Sequence, residues 1–544
     1  MDNQRLILFI VFSFSILMLW DAWERQNAPQ QPAVAQTEPA QYPRTNDVPA
    51  APAAAEAPVP VASSAESAAL ARGERIRVKT DMIAAEIDTT GGDIRHLELL
   101  HYKNDADKGK NYVLLEDGNP EHVYVAQSGL LGAGLPNHRT PFTAKAGEVV
   151  LAEGSDKTEV RLSWSDASGM QVDKVYTFRR GSYVIDLNYE IRNGGSVAID
   201  PAAYYQVVHD SQSNQGSAMM PTFTGGAYYT EEEKFKKVTF DDMKKANLSK
   251  NAKDGWVGLV QHYFVSAWLP TDGAAREYYT KDLGNNLFSV GAVQALGSVS
   301  PGASTTLAAR YYAGPQEQDR LNQVAPGLEY TVDYGWLTVI AAPLFWLLSY
   351  IQKLVHNWGV AIILLTVLIK AAFYPLSAAS YRSMAQMKKV APRLQQIKER
   401  YGNDREKLHQ AMMELYKTEK INPMGGCLPI LVQIPVFIAL YWVLLGSVEM
   451  RHAPFMLWIH DLSAVDPYYV LPILMGATMI AQTYLNPTPP DPIQAKMMKI
   501  MPVVFSVFFF FFPAGLVLYW LINNILSIAQ QWYINRSIEG GHKA

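Results

Sequence analysis

Cysteine is nearly absent from this chain, because Cys427 is the only one among its 544 residues. One thiol excludes an intramolecular disulfide and a thiolate cluster for zinc or iron–sulfur chemistry. The histidines between positions 96 and 209 lack metal-ligand spacing, and no P-loop or other nucleotide motif is present. Asp210, Ser211 and Ser213 beside His209 could suggest a catalytic triad, but no nucleophile elbow accompanies them. We therefore expect no cofactor, no metal and no enzymatic reaction.

Charge is missing from long segments of the chain, although charged residues make up 18% of the whole. Uncharged apolar runs occur near the N-terminus and after Gly335, whereas residues 72–333 have the composition of a soluble domain. The first run, Leu6–Trp20, is followed by no small-x-small cleavage site, which favours an uncleaved membrane anchor at residues 1–26. Residues 27–71 are rich in Ala, Pro, Gln and Glu and are predicted to be a disordered linker.

The segment 72–333 carries the alternation that is typical of β-strands. The clearest example lies between Tyr183 and Arg192, where apolar and polar residues alternate and glycine-containing turns stand at both ends. The residues predicted to face the core are Ile185, Leu187, Tyr189 and Ile191. We therefore predict a large antiparallel β-sandwich outside the membrane.

Lys370 stands alone in an otherwise uncharged run from Asn357 to Tyr381 that is long enough to cross a bilayer. A lysine in the middle of a span costs about 2.5–3.5 kcal/mol even on the lenient insertion scale. The alternative is a lysine that snorkels to the headgroups, but Lys370 lies about 11 residues from either end of the run, or roughly 16 Å along a helix. We therefore predict a functional group in a polar cavity.

The loop charges predict the topology. The segment after Tyr381 holds ten Lys or Arg residues against five acidic ones, a net charge of +5, whereas loop 449–467 has only Arg451 among basic residues. The basic segment is therefore predicted to lie in the cytoplasm and the second loop outside. If Trp336–Ile351 crossed the membrane, the basic segment would lie outside, so Trp336–Ile351 is predicted to be an interfacial helix.

The basic segment is predicted to form a hairpin of two amphipathic helices. Its apolar residues recur at helical spacing as Met384, Met387, Ala391, Leu394 and Ile397, and again as Leu408, Met412 and Leu415. Asn403 with Glu406 resembles a capping box for the second helix.

The run from Ile500 to Asn535 is too long for one crossing. Its 36 uncharged residues would form a helix of about 54 Å, against a hydrocarbon core of about 30 Å. Pro513 offers a break, which predicts two short spans, six spans in total and both termini in the cytoplasm; a single tilted span is the alternative. The predicted segments are an anchor at 1–26, a linker at 27–71, the β domain at 72–333, an interfacial helix at 334–356, the second span at 357–380, the hairpin at 381–423, the third span at 424–448, an outer loop at 449–467, the fourth span at 468–485, an inner loop at 486–500, the fifth span at 501–512, the sixth span at 513–534 and a tail at 535–544.

Two stretches, Asn422–Tyr441 and Phe512–Trp520, carry a resemblance to a known family. The first begins Asn-Pro-Met-Gly-Gly-Cys-Leu-Pro, and the second reads Phe-Pro-Ala-Gly-Leu-Val-Leu-Tyr-Trp. With the hairpin before them they resemble the YidC/Oxa1/Alb3 membrane protein insertases, and the anchor and β domain resemble the Gram-negative YidC form. The resemblance implies a polytopic α-helical membrane protein with a five-helix insertase core, an N-terminal anchor helix and a large all-β periplasmic sandwich domain. It also implies the bacterial inner membrane and a hydrophilic groove closed to the periplasm.

The resemblance further implies roles for individual residues. Lys370 stands where the family groove carries a positive residue, usually arginine. Thr366 matches a position implicated in substrate contact, and Trp520 falls where an aromatic residue contacts the nascent span. The groove candidates are Lys370, Thr366, Trp520, Tyr519 and Gln433, and the hairpin candidates are Met384, Met387, Lys388, Lys389 and Arg393.

The function implied by the resemblance is that of an insertase and chaperone for inner-membrane proteins, acting alone or with the Sec translocon. The implied partners are nascent membrane proteins, the ribosome, the Sec translocon with its accessory subunits, the signal recognition particle receptor and membrane lipids, without direct readout of nucleic acid. Two alternatives stay open at this point. One is a solute transporter or channel that uses the intramembrane lysine, which a solute-flux assay would test. The other is an assembly scaffold that binds its ligands through the β domain.

Overall fold

The computed structural model describes residue 49 and residues 72–119, 122–145, 147–212, 222–402, 404–419, 428–485 and 492–540. The predicted anchor, nearly all of the linker and the Asn422–Cys427 part of the family block lie outside the described residues. The described residues up to Gly335, together with Gly446–Glu449, form one compact unit. Those of Trp336–Leu445 and those from Met450 onward form a second unit.

The first unit contains two large β-sheets. Its strands are β1 (Arg75–Lys79), β2 (Ile83–Asp88), β3 (Asp93–Lys103), β4 (Asn111–Asn119), β5 (His122–Leu131), β6 (Thr143–Ala144), β7 (Gly147–Val150), β8 (Lys157–Ser165), β9 (Met170–Arg179), β10 (Val184–Asn193), β11 (Ala202–Asp210), β12 (Gly225–Thr230), β13 (Lys234–Val238), β14 (Ser249–Ala252), β15 (Trp256–Gln261), β16 (Phe264–Pro270), β17 (Arg276–Gly284), β18 (Leu287–Ala295) and β19 (Ser304–Pro315). One sheet has the order β14-β17-β18-β11-β5-β4-β3-β2-β1-β7, and the other β13-β12-β15-β16-β19-β10-β9-β8-β6. The described pairs are antiparallel except for β1 with β7. Two short helices, α1 (Phe240–Lys245) and α2 (Gln318–Val324), complete the regular helices of this unit.

The core of the β domain lies between the sheets, as the alternation predicts. The four apolar residues predicted on β10 are at most 1% exposed. Side chains connect the two layers directly. The Trp268 indole N–H donates to the carbonyl of Gln206 over 3.0 Å, and the hydroxyls of Tyr124 and Ser266 lie 2.6 Å apart. The predicted all-β sandwich is confirmed.

Among the described residues, His209, Asp210 and Ser211 do not form a triad, and Ser213 lies outside the described residues. His209 is fully buried against Tyr124 and Phe240, and this burial lowers its pKa to about 4. The Asp210 carboxylate instead accepts a hydrogen bond from His122 over 2.8 Å, which raises the pKa of His122. The Ser211 hydroxyl donates to Asn286. These side chains stabilise the end of β11.

The second unit is helical. Its described helices are α3 (Thr338–Val355), α4 (Trp358–Ala372), α5 (Tyr374–Tyr401), α6 (Arg405–Thr418), α7 (Leu428–Gly446), α8 (Val470–Leu485), α9 (Pro492–Phe509) and α10 (Ala514–Gly540). By length and composition, one stretch among the described residues, Gly335–Val355, could cross a membrane as a single helix. The interfacial position of α3 therefore stays a prediction that rests on the loop charges.

The predicted second span is not one straight helix. α4 ends at Ala372, α5 begins at Tyr374, and the two axes meet at 66°. Pro375 in the first turn of α5 explains the break, because proline has no N–H for the preceding turn and disfavours helical backbone at the residue before it. The placement of Lys370 in the middle of a long helix is therefore wrong, since Lys370 lies in the last turn of α4.

The break between the last two helices lies where the sequence predicts it. α9 ends at Phe509 and α10 begins at Ala514, so the long uncharged run is divided next to Pro513 as predicted. Both helices extend beyond the predicted spans, because α9 starts at Pro492 and α10 continues to Gly540.

The basic hairpin is formed by α5 and α6. Val390 and Leu394 of α5 pack against Met412, Leu415 and Tyr416 of α6. The predicted capping box is wrong by one residue, because the N-cap of α6 is Asp404 rather than Asn403. The Asp404 carboxylate accepts the backbone N–H of Lys407 over 3.1 Å and satisfies a donor in the first turn.

Candidate functional site

Lys370 lies on the buried face of α4. Ile362 and Thr366 precede it on the same face at intervals of four residues, and its own side chain is only 4% exposed. Its ammonium donates a hydrogen bond to the Ser527 hydroxyl of α10 over 2.7 Å. The Ser527 hydroxyl in turn donates to the carbonyl of Asn523 over 2.7 Å. The position in the last helical turn is favourable for a cation, because the helix dipole is negative there.

The electrostatic environment of Lys370 is unusual for a buried cation. Buried charges are normally paired with an opposite charge. Among the described residues, no carboxylate lies within 4.0 Å of the Lys370 ammonium, and Ser527 is its one hydrogen-bond acceptor. A hydroxyl can orient an ammonium without neutralising it. Within the described residues, the buried ammonium therefore uses one of its three hydrogen-bond donors and has no opposite charge beside it.

α10 connects this site to the other helices through polar side chains. The Gln433 amide of α7 donates to Asn523 over 3.1 Å, and the Asn524 amide donates to the Thr478 hydroxyl of α8 over 2.9 Å. Gln530 also approaches the backbone carbonyl of Lys370, at 3.5 Å. α10 is therefore the helix on which the polar contacts of α4, α7 and α8 converge.

An aromatic cluster lies two turns before Ser527 on α10. The Trp520 ring stacks on Phe437 at a centroid distance of 4.9 Å, and its centroid lies 4.2 Å from that of Phe509 in an edge-on arrangement. Tyr519 is 1% exposed, and its ring centroid is 5.6 Å from that of Phe437. The Tyr519 hydroxyl and the Trp520 indole N–H are buried and have no hydrogen-bond partner within the described part of the chain.

Thr366 is buried one turn before Lys370, at 1% exposure. Its hydroxyl donates to the Ile362 carbonyl of the same helix over 2.6 Å. The structure thus brings Lys370 and Gln433 onto the polar residues of α10, whereas the Thr366 hydroxyl is satisfied within α4.

Two family models match the chain over most of its length. The model described as the YidC periplasmic domain matches residues 75–347, and the one described as 60Kd inner membrane protein matches residues 350–541. The chain is 68% identical to the membrane protein insertase YidC of Methylobacillus flagellatus over 99% of this chain and 98% of that relative. It is 56% identical to the membrane protein insertase YidC of Nitrosospira multiformis, again over 99% and 98%. The chain belongs to the YidC family.

As a YidC-family insertase, the protein is a multi-pass inner-membrane protein with a periplasmic domain, and its substrates are membrane proteins. The prediction of a non-enzymatic insertase is confirmed, and the transporter and scaffold alternatives are disfavoured. The fold prediction of a helical insertase core with a large β domain is confirmed as well.

The hairpin of this YidC-family member presents its cations to the surface. Lys388 and Lys389 are exposed on α5, as is Arg393, whose guanidinium pairs with Glu419. Met384 and Met387 are partly buried.

The sequence prediction missed three polar residues of the YidC site. Ser527, Gln530 and Gln531 lie in the last uncharged run, and Ser527 and Gln531 are at most 5% exposed. A signal was available, because Asn523, Ser527 and Gln531 follow one another at intervals of four and share a helix face. A polar stripe of this kind in an apolar helix indicates contacts within the bundle.

Proposed function

We propose that Lys370 receives the polar flank of a membrane protein as the segment enters this insertase. The observation that carries the proposal is a buried ammonium held by a hydroxyl, without a carboxylate among the described residues. Attraction to an acidic segment is stronger where water is partly excluded. A polar flank bound here would lose less hydration free energy than one that passes directly through lipid.

The apolar part of the client passes Tyr519 and Trp520 in this proposal. Their buried hydroxyl and indole N–H are costly when unpaired, and a passing segment can satisfy them with backbone carbonyls. Gln433 adds an amide beside α10, and Thr366 shapes the wall next to Lys370. Release into lipid follows from hydrophobic partitioning and from closure of the client's own backbone hydrogen bonds as a helix.

The proposed energy source is partitioning, aided by the membrane potential. The sequence carries no nucleotide-binding motif. The membrane potential supplies about 2.3 kcal/mol per elementary charge per 100 mV, so it acts on acidic flanks that cross the membrane.

The hairpin cations Lys388, Lys389 and Arg393 are the proposed contact to the ribosome. Exposed basic side chains suit a phosphate-rich surface and need no readout of base sequence. Met384 and Met387 would add adaptable apolar contacts at the same surface. We propose as further partners the Sec translocon, the signal recognition particle receptor and membrane lipids. We also propose that both chain termini lie in the cytoplasm.

The test is insertion of a small client with an acidic N-terminal tail into proteoliposomes. Wild type, Lys370→Arg and Lys370→Ala would be compared at equal protein density, with Lys157→Ala in the β domain as a matched control for loss of a lysine. We expect Arg to support insertion, Ala to abolish it and the control to insert normally. Equal insertion by Lys370→Ala and wild type would refute the proposed role of Lys370.

A further inference from the structure

The connection between α7 and α8 contains an apolar turn outside any helix. Residues Ala453–Ile459 read Ala-Pro-Phe-Met-Leu-Trp-Ile and include no charged or hydrogen-bonding side chain except the Trp458 indole. Loops that face water are normally polar, and a run of this length on a surface indicates a binding partner. The fold of the turn shows which of its residues need a partner.

The inner residues of this turn fix it to the protein. Ala453 and Ile459 are 7% and 3% exposed, and the Phe455 amide donates to the Ile459 carbonyl over 2.9 Å. The Phe455 carbonyl accepts the side-chain amide of Asn357 over 2.8 Å. The same Asn357 accepts the Val360 amide and so caps the N-terminus of α4. The turn is therefore attached to the beginning of a helix of the membrane core.

The outer residues of the turn point away from the protein. Met456 is 51% exposed and Leu457 is 74% exposed. Leu457 has φ of +55°, in the left-handed region that disfavours a bulky side chain. The exposed apolar tip is therefore formed by Met456 and Leu457, and the part of the chain that the structure describes buries neither.

The rest of the loop is attached to a second helix of the core. The first backbone amides of α10, at Ala514 and Gly515, donate to the carbonyls of Ala464 and Leu462 over 2.7 and 2.9 Å. The loop thus lies at the N-terminal ends of α4 and α10. In a multi-pass protein, helix ends mark the level of the membrane surface.

The aromatic residues beside the tip also indicate a position at the membrane surface. Trp458 and Tyr468 form an edge-on pair with centroids 6.3 Å apart, and Tyr468 is 68% exposed. Tryptophan and tyrosine are enriched at membrane–water interfaces. We propose that Met456 and Leu457 insert among the phospholipid acyl chains of the leaflet at this end of the helices. The covering partner is lipid, and this proposal is independent of the role of Lys370.

The test uses the full-length protein with one labelled cysteine. Because Cys427 is the only natural cysteine, Cys427→Ser gives a background for Leu457→Cys, with Met456→Cys as a second probe. Val197→Cys is the matched control, since Val197 is an apolar side chain of the β domain with 72% exposure. Each variant would carry an environment-sensitive fluorophore in nanodiscs of phosphatidylethanolamine and phosphatidylglycerol, one copy per disc.

Two quenchers separate lipid from water. For probes at 457 and 456 we expect emission shifted to shorter wavelength, loss of intensity with doxyl-labelled lipid and protection from iodide. The probe at 197 should emit at longer wavelength, should be quenched by iodide and should not be quenched by doxyl-labelled lipid. Iodide quenching at 457 and 456 equal to that at 197, without quenching by doxyl lipid, would overturn the proposal. Protection that appears only with two copies per disc would also overturn it, because the cover would then be a second chain.

Discussion

Replacing Lys370 by methionine tests whether the lysine is needed for client insertion or for the stability of the fold. Methionine has a similar length and flexibility, so the packing of α4 against α10 is retained. Removal of the ammonium recovers up to about 2.5–3.5 kcal/mol, the cost of a cation at the centre of a membrane helix, because Lys370 is almost fully buried although it lies in the last turn of α4. It forfeits about 1.5–3 kcal/mol for the hydrogen bond to Ser527 and about 0.3–1 kcal/mol for the favourable helix end. Ser527 keeps its own donation to the Asn523 carbonyl.

These contributions nearly cancel, so Lys370→Met is expected to fold with a stability within about 1.5 kcal/mol of wild type. Ser527→Ala is the matched variant, because it keeps the buried ammonium and removes its acceptor. That variant should lose about 1–3 kcal/mol. Lys370→Met is therefore expected to be at least as stable as Ser527→Ala, although it should no longer insert an acidic client.

The assay is thermal unfolding of the purified variants in one detergent, followed by insertion measured on the same preparations. If Lys370→Met were destabilised by about 3 kcal/mol or more, beyond what the opposing contributions allow, the lysine would be structural and our interpretation refuted.

Three further predictions concern other parts of the molecule. Acidification from pH 6.5 towards 4 should destabilise the β domain by about 3 kcal/mol through His209, because burial lowers its pKa from 6.5 to about 4 and the unfolded chain binds the proton first. Hydrogen exchange of strand β11 in the full-length protein should show this loss of stability with falling pH, and His209→Gln should remove it. If the stability of His209→Gln falls with pH as much as that of wild type, His209 is not the group responsible. Gly359→Ala should cost about 1–3 kcal/mol, since its Cβ would lie 2.1 Å from the Phe455 ring. Adding Phe455→Ala should recover part of that loss in thermal unfolding, whereas strictly additive losses would exclude the clash. Lys388→Glu with Lys389→Glu should weaken ribosome binding and reduce its salt dependence in co-sedimentation, because phosphate contacts are lost. The control Lys157→Glu in the β domain should leave ribosome binding unchanged. If it weakens ribosome binding as much as the hairpin variant does, the hairpin is not the contact.

The β domain could be predicted well because a strand has a period of two and its buried face is read directly from the alternation. The residues of β10 illustrate this. The break between α9 and α10 was predictable for a similar reason, since Pro513 stands in a run too long for one crossing.

The local geometry around Lys370 was not predictable in the same way. The apolar run continues without change from α4 into α5, so hydropathy gives no sign of the 66° bend, and only Pro375 marks it. The partner of Lys370 was missed because Ser527 is 157 positions away, and serine in an apolar helix carries little weight by itself. The cap of α6 shifted by one residue because Asn403 and Asp404 are both good N-cap residues.

The most direct test of the role of Lys370 reverses the charge of residue 370 and the charge of the client's N-terminal tail. Lys370→Glu would be assayed for insertion of two clients that differ only in an acidic or a basic N-terminal tail. If the charge of residue 370 attracts the client flank, Lys370→Glu should fail with the acidic client and insert the basic one, while wild type shows the reverse preference. If both proteins insert both clients in the same ratio, the charge at position 370 does not select the flank and the account is contradicted.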